Sequence, residues 1–229
     1  MRDKASGPEG ADEREDAVHP PPPDERRTQQ ERSATTRASL IGAARPLFAA
    51  RGFGGVGTEA IVRAAGVTRG ALYHQFADKT ELFAAVFEAL EQDIARRLDE
   101  RVSAAPDSDP MALMRLGAAA WLDLSEEAEV QQIALLDAPA VLGWERWRTI
   151  GLRYGLGLVE GLLAYAVQAG AIAEQPVGAL AHVLTGALDE AALYIAQAED
   201  HASARAEMQA VIDQLIRGLG VTGPAPGGG

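Results

Sequence analysis

An all-α fold is predicted by three features of this chain. From Thr36 onward, apolar residues recur at three- and four-residue spacing, the period of one helical face. Glycines and prolines interrupt that pattern at intervals that suit helices of ordinary length. No stretch alternates convincingly with the period of two that marks a strand. Together these predict a small N-terminal three-helix bundle with a helix-turn-helix, followed by a larger C-terminal helical domain.

Residues 1–33 are charged, contain the run Pro20 to Pro23 and carry almost no large apolar side chain. Such a segment buries too little surface to offset its ordering entropy, so a disordered tail is expected. A first helix is expected from Thr36 to Arg51, where Leu40, Ile41, Ala44, Leu47 and Phe48 share a face and Gly52 ends it. A second runs from about Thr58 to Ala65 and a third from Thr68 to Phe76. Asp78 caps a fourth that reaches about Ser103. Further helices are expected near 110–124, 126–136, 140–169, 177–198 and 203–219, with 221–229 a flexible end. The chain is thus expected to divide into a small helical domain over 34–80 and a larger one over 81–220.

The 229 residues include no cysteine, which excludes disulfides and thiolate metal sites. The first residues lack a secretory apolar run, and no apolar stretch of roughly 18 residues is expected to span a membrane, so a cytoplasmic protein is expected. The net charge of −12 argues against nucleic acid until its distribution is read. Residues 35–80 hold five arginines and Lys79 against Glu59 and Asp78, a net +4, while residues 81–229 carry −13. One basic segment on an acidic chain is the electrostatic footprint of a local DNA contact.

Gly66 separates the second and third helices and supplies the positive φ that a sharp turn needs. Ile61, Val62, Ala65, Val67 and Leu72 are expected to lock the two helices together. That leaves Thr68, Arg69, Gly70 and His74 facing outward. Thr68 caps its helix, Arg69 has the reach and donors for a guanine edge, and Gly70 permits close approach to the groove. Tyr73, His74 and Lys79 are expected on phosphates, with the N-terminus of the fourth helix beside them.

Gly52-Phe53, Thr58, Ile61, Ala65-Gly66-Val67-Thr68, Gly70, Leu72-Tyr73, Phe76, Lys79 and Leu82 resemble the N-terminal domain of the TetR (tetracycline-repressor) family of bacterial regulators. The resemblance covers about residues 36–85 and adds Thr58 to the expected DNA-binding set. It implies a homodimer whose recognition helices enter successive major grooves of a palindromic operator. It also implies a repressor that a small effector, bound in the C-terminal domain, releases from DNA. Three positions depart from the common pattern: Gly57 in place of a threonine cap, Val62 in place of alanine, and Gln75 in place of a histidine.

In the C-terminal domain, amphipathic side chains in an apolar setting are the candidate ligand contacts: Met111, Met114, Trp121, Asp137, Trp144, Trp147, Arg148 and Tyr154. Arg148 or Asp137, if buried, requires a partner. Leu180, Val183, Leu184, Ala187, Ala191 and Tyr194 form one apolar helical face, and Met208, Val211, Ile212 and Leu215 another. Two such helices from each subunit would build a four-helix dimer interface, where the family also dimerises. Asp189 and Glu190 read as a solvated or interface charge pair.

Two other classes compete. Helical bundles hold di-iron sites through Glu-x-x-His pairs, but alanine precedes His74, His182 and His201 by three residues. No phosphate loop or nucleophile motif is present either, so no enzyme, metal or cofactor is expected. A helical ligand- or protein-binding module without sequence-specific DNA binding remains the alternative, separated from a regulator by salt-sensitive binding to a specific duplex.

Overall fold

The computed structural model describes residues 23–106 and 109–220. Its helices are α1 (Pro23–Arg51), α2 (Thr58–Ala65), α3 (Arg69–Gln75), α4 (Lys79–Ser103), α5 (Pro110–Ser125), α6 (Ala128–Val130), α7 (Ala138–Leu142), α8 (Trp144–Gln168), α9 (Val177–Gln197) and α10 (His201–Leu219). A π-helical segment, Gln131–Asp137, joins α6 to α7. No strand occurs among the described residues; Ile172 and Gly220 form an isolated antiparallel bridge.

α1 begins at Pro23, well before the expected Thr36. Proline suits a first helical turn, where its missing N–H would have had no partner. Farther along, the Thr35 and Thr36 hydroxyls donate to the carbonyls of Glu31 and Arg32. Gln75 Nε2 donates to Ser33 Oγ at 2.8 Å, so the end of α3 holds this part of α1 in place. The rest of the expected tail, residues 1–22, and the expected end at 221–229 lie outside the described residues.

The second and third helices follow the sequence closely, and Asp78 Oδ1 accepts the Glu81 N–H at 2.9 Å to cap α4. The later part of the chain differs. The backbone stays helical through Asp137 and Ala138, and the break falls at Gly143, at φ 78° and ψ 158°. Pro139 has no N–H to give the preceding turn, and the π-helical segment lies immediately before it. The expected helix over 140–169 is therefore two helices.

One apolar core runs from Leu40, Ala44 and Phe48 through Ile61, Leu72 and Phe83 to Ile133, Trp147 and Ile150. Phe83 receives Phe48 and Phe53 edge-on, each with ring centroids 5.2 Å away. α4 carries this core continuously from the first three helices to the C-terminal bundle. A second core joins α5, α8, α9 and α10 through Met114, Leu122, Leu163, Ala191, Ile212 and Ile216.

α8 and α9 reach the length and apolarity of a bilayer span, with mean hydropathies of 1.3 and 1.2, contrary to the expectation from sequence. Here they lie against each other and against α5, and α8 also crosses α4.

Candidate DNA-binding face and ligand cavity

The turn before α3 depends on Gly66, at φ 66° and ψ 28°, a left-handed conformation that glycine adopts without steric cost. Val67 N–H donates to the Val62 carbonyl at 3.1 Å, which closes the turn. Thr68 Oγ1 then accepts the Ala71 N–H at 3.2 Å and caps α3. Leu72, fully buried, meets Ile61 in the core and sets the rotation of the helix. That rotation leaves Thr68, Arg69, Gly70, Tyr73 and His74 exposed together. A Cβ built on Gly70 would meet only Thr68 Oγ1, at 3.9 Å. Internal packing does not require glycine there; its effect is to bare backbone on the outward face.

Arg69 pairs with Glu59 of α2 at 3.2 Å and lies over the Tyr73 ring at 5.6 Å. Both charges of that pair are mostly exposed, so it is weak and exchangeable. Thr58, half-buried, opens α2, and Gly57 before it makes no side-chain cap. Gln75, the unusual residue of this element, is turned inward to Ser33. Arg37 stacks on Phe76 at 4.4 Å and reinforces the same corner.

Lys79 is not a free surface donor. Its Nζ donates to the carbonyls of Phe53 at 2.9 Å and Val56 at 3.0 Å, and sits 3.9 Å from the centre of the Phe53 ring. Two of its three donors hold the loop between α1 and α2, leaving one for any outside partner.

The C-terminal bundle contains a cavity of about 100 Å³ enclosed by α4, α5, α8, α9 and α10. Its wall is apolar apart from Glu91, Thr185 and Asp189. Of the eight sequence candidates, only Met114 and Trp121 line it. Trp121 is oriented by its indole N–H, which donates to the Leu188 carbonyl at 3.1 Å. A smaller adjoining cavity shares Glu91, Trp121, Thr185 and Asp189 and adds Trp147, Arg148 and the π-helical residues Ala134 and Leu135.

The other candidates are elsewhere. Met111 packs on the second core, and Tyr154 donates its hydroxyl to Glu88 at 3.2 Å on the first. Trp144 is 67% exposed and meets Trp147 at a tilt of 50°. Asp137 accepts the Phe53 N–H instead of facing the cavity. These positions share helical periodicity with the true lining residues, and only the packing angles separate them.

Sequence reading missed Glu91 as a site residue. It lies four residues after Phe87 and three before Ile94 on the buried stripe of α4, so a charge at an apolar helical position was the available signal. It is 9% exposed and has no hydrogen-bond or ion-pair partner among the described residues. Burial, with Asp189 nearby, pushes its carboxyl up to about 8. Asp189, partly buried, does not pair with Glu190. It takes an ion pair from Arg148, yet burial still pushes its carboxyl up to about 6. Arg148 also gives a bond to the His182 carbonyl at 3.4 Å, so it is committed away from Glu91. Thr185 Oγ1 is buried without a partner.

The expected dimer face divides in two. Val183, Tyr194, Val211 and Leu215 are exposed by 67%, 47%, 50% and 48%, an unusual density of large apolar surface. Ala191 and Ile212 are instead buried in the subunit's own core, with Leu180, Leu184, Ala187 and Met208 packed against it. Two faces of one helix both read as apolar, and only their rotation assigns them.

Comparison with known proteins agrees with this geometry. Residues 40–86 match the family described as "Bacterial regulatory proteins, tetR family", and residues 111–219 match "Tetracyclin repressor-like, C-terminal domain". The crystal structure of a TetR-family transcriptional regulator from Pectobacterium atrosepticum is 34% identical, with a TM-score of 0.75, covering 84% of this chain and 97% of that one. The regulator AcrR of Shigella flexneri is 37% identical over 80 residues, 35% of this chain, and the match spans only 37% of its own length. The structure of RolR in complex with resorcinol shares the fold at 21% identity and TM-score 0.66, covering 83% of this chain and 95% of that one.

Proposed function

Because the chain belongs to the TetR family of transcriptional regulators, we propose that it acts in the cytoplasm as a homodimeric repressor of a palindromic operator, released by a small-molecule effector. The observation that carries the DNA half is the outward set Thr68, Arg69, Gly70, Tyr73 and His74 on one short helix whose other side is locked by Leu72. In this reading Arg69 exchanges Glu59 for a guanine edge, and Tyr73 and His74 hold phosphates. Thr58 and Thr68, at two helix starts, donate to the backbone. Lys79 keeps the loop before α2 in place and offers its remaining N–H to a phosphate. Residues 34–80 form the DNA-binding unit and 81–220 the effector and dimer unit, with the exposed apolar residues of α9 and α10 as the dimer contact.

The effector site in this reading is the apolar cavity beneath α4. Its smaller extension touches the π-helical segment, whose last residue, Asp137, holds Phe53 in the loop that Lys79 also grips. A ligand that shifts this segment changes the separation of the two recognition helices. Allosteric couplings are in general worth about 1–3 kcal/mol, and this one is expected to cost operator affinity on that order.

Selection of bound duplexes from a random DNA pool tests the reading, with Tyr73→Ala as control and two salt concentrations. A palindromic consensus, lost in the control and weakened by salt, is expected. Failure to enrich any sequence at low salt would sink it. Arg69→Ala is expected to relax preference at one base position rather than weaken all sequences equally.

A further inference from the structure

The polar end of the cavity consists of two carboxyls and one hydroxyl. Among the described residues lining the main chamber there is no arginine, lysine or histidine. Arg148, beside the smaller chamber, is spent on Asp189 and the His182 carbonyl. With Asp189 neutralised in this way, Glu91 is the one carboxyl that has no counter-charge. A carboxyl sunk in an apolar wall without a partner is costly, and its cost is relieved by a donor that enters with the ligand. Thr185 Oγ1, also unpartnered and buried, adds a second polar atom at the same end. The remainder of the wall is apolar: Ile94, Leu98, Leu158 and Leu162 with the Trp121 ring among them.

We infer that this cavity takes a small lipophilic organic cation, a protonated amine on an apolar body, with the ammonium received by Glu91 beside Thr185 and Asp189. The inference rests on the reading of the cavity as the effector site and names the chemical class it accepts. An anion would meet two carboxyls. A neutral alcohol or phenol would find a hydrogen-bond partner in Glu91 but, carrying no charge, would give it no reason to release its proton.

The proton balance follows. Burial holds a proton on Glu91 in the empty cavity at neutral pH. An incoming ammonium stabilises the carboxylate, so Glu91 loses that proton to solvent as the ion pair forms. The groups that act on Glu91 are Asp189 from α9 and, behind it, Arg148 from α8; α5 and α10 present only uncharged residues to the cavity.

Calorimetry on the full chain at neutral pH, in two buffers of different ionisation enthalpy, tests this directly. The probes are 2-phenylethylamine and 4-phenylbutylamine, against 2-phenylethanol and phenylacetate. An amine is expected to bind with proton release and to outbind the alcohol. Glu91→Gln, which preserves shape, is expected to weaken the amine by about ten- to a hundredfold and to abolish proton release. Equal binding of amine and alcohol, unchanged amine binding by Glu91→Gln, or no amine binding at all would overturn the inference. A parallel anisotropy assay on the selected operator separates the two readings. Amine binding without operator release keeps the cation site and removes the effector reading. Release by the alcohol without dependence on Glu91 does the reverse.

Discussion

The backbone N–H of Phe53 donates to Asp137 Oδ2 at 2.6 Å, joining the loop after α1 to the end of the π-helical segment 84 residues later. Gly52 makes this approach possible. At φ 66° it turns the chain, and a Cβ there would lie 3.1 Å from Gln132 Nε2 and 3.4 Å from Asp137 Oδ2. Arg45 adds a two-pronged bond to Glu129 at 2.7 and 2.8 Å, so α1 and the loop after it are each fastened to the C-terminal part of the chain.

Asp137→Ala removes a charged acceptor and leaves a partly buried N–H without a partner. Stability is expected to fall by about 1–3 kcal/mol, read from chemical denaturation. Operator affinity in the absence of ligand should fall as well, because the loop beside α2 loses one of its anchors and keeps only Lys79. Normal affinity together with lowered stability would confine this bond to a structural role.

Lys79→Ala separates two roles. Loss of the bonds to Phe53 and Val56 is expected to lower stability by about 1–3 kcal/mol in denaturant. A phosphate contact would additionally reduce the salt slope of operator binding by about 1. An unchanged slope would leave Lys79 as a loop clamp alone.

Glu91 makes stability depend on pH in a defined window. The unfolded chain ionises it near 4.5, the folded chain at about 8. Below that window both states hold the proton. Within it only the unfolded state releases the proton, so stability falls as pH rises, on the order of 1 kcal/mol per unit, and levels off above it. Glu91→Gln should flatten this slope and be more stable than the parent at pH 8, the upper end of that window. A pH profile identical to the parent's would show that Glu91 ionises normally.

Val183→Glu and Val211→Glu place charges on exposed apolar positions of α9 and α10. Folding should be retained, since neither side chain enters the core. Sedimentation is expected to show monomers, with operator affinity lost alongside the dimer. Dimers of parental stability would move the interface elsewhere.

The helix-turn-helix was legible in the sequence because it is built from local constraints. Gly66 at the turn, Thr68 as cap, Leu72 inward and Tyr73 outward are consequences of one short helix with one buried side. The same holds for Asp78 as the cap of α4. What the sequence determined by itself was therefore the all-α class, the starts of α2, α3 and α4, and the outward face of α3. The cavity was decided by tertiary structure alone. Periodicity marks Met111 and Met114 alike as apolar, and Leu184 and Val183 as neighbours on one helix. How α5, α8, α9 and α10 rotate and cross determines which of them meet. Lys79 and Asp137 changed roles for the same reason. Each is a charge whose partner is a backbone group distant in sequence, and only folding brings that group within hydrogen-bonding distance.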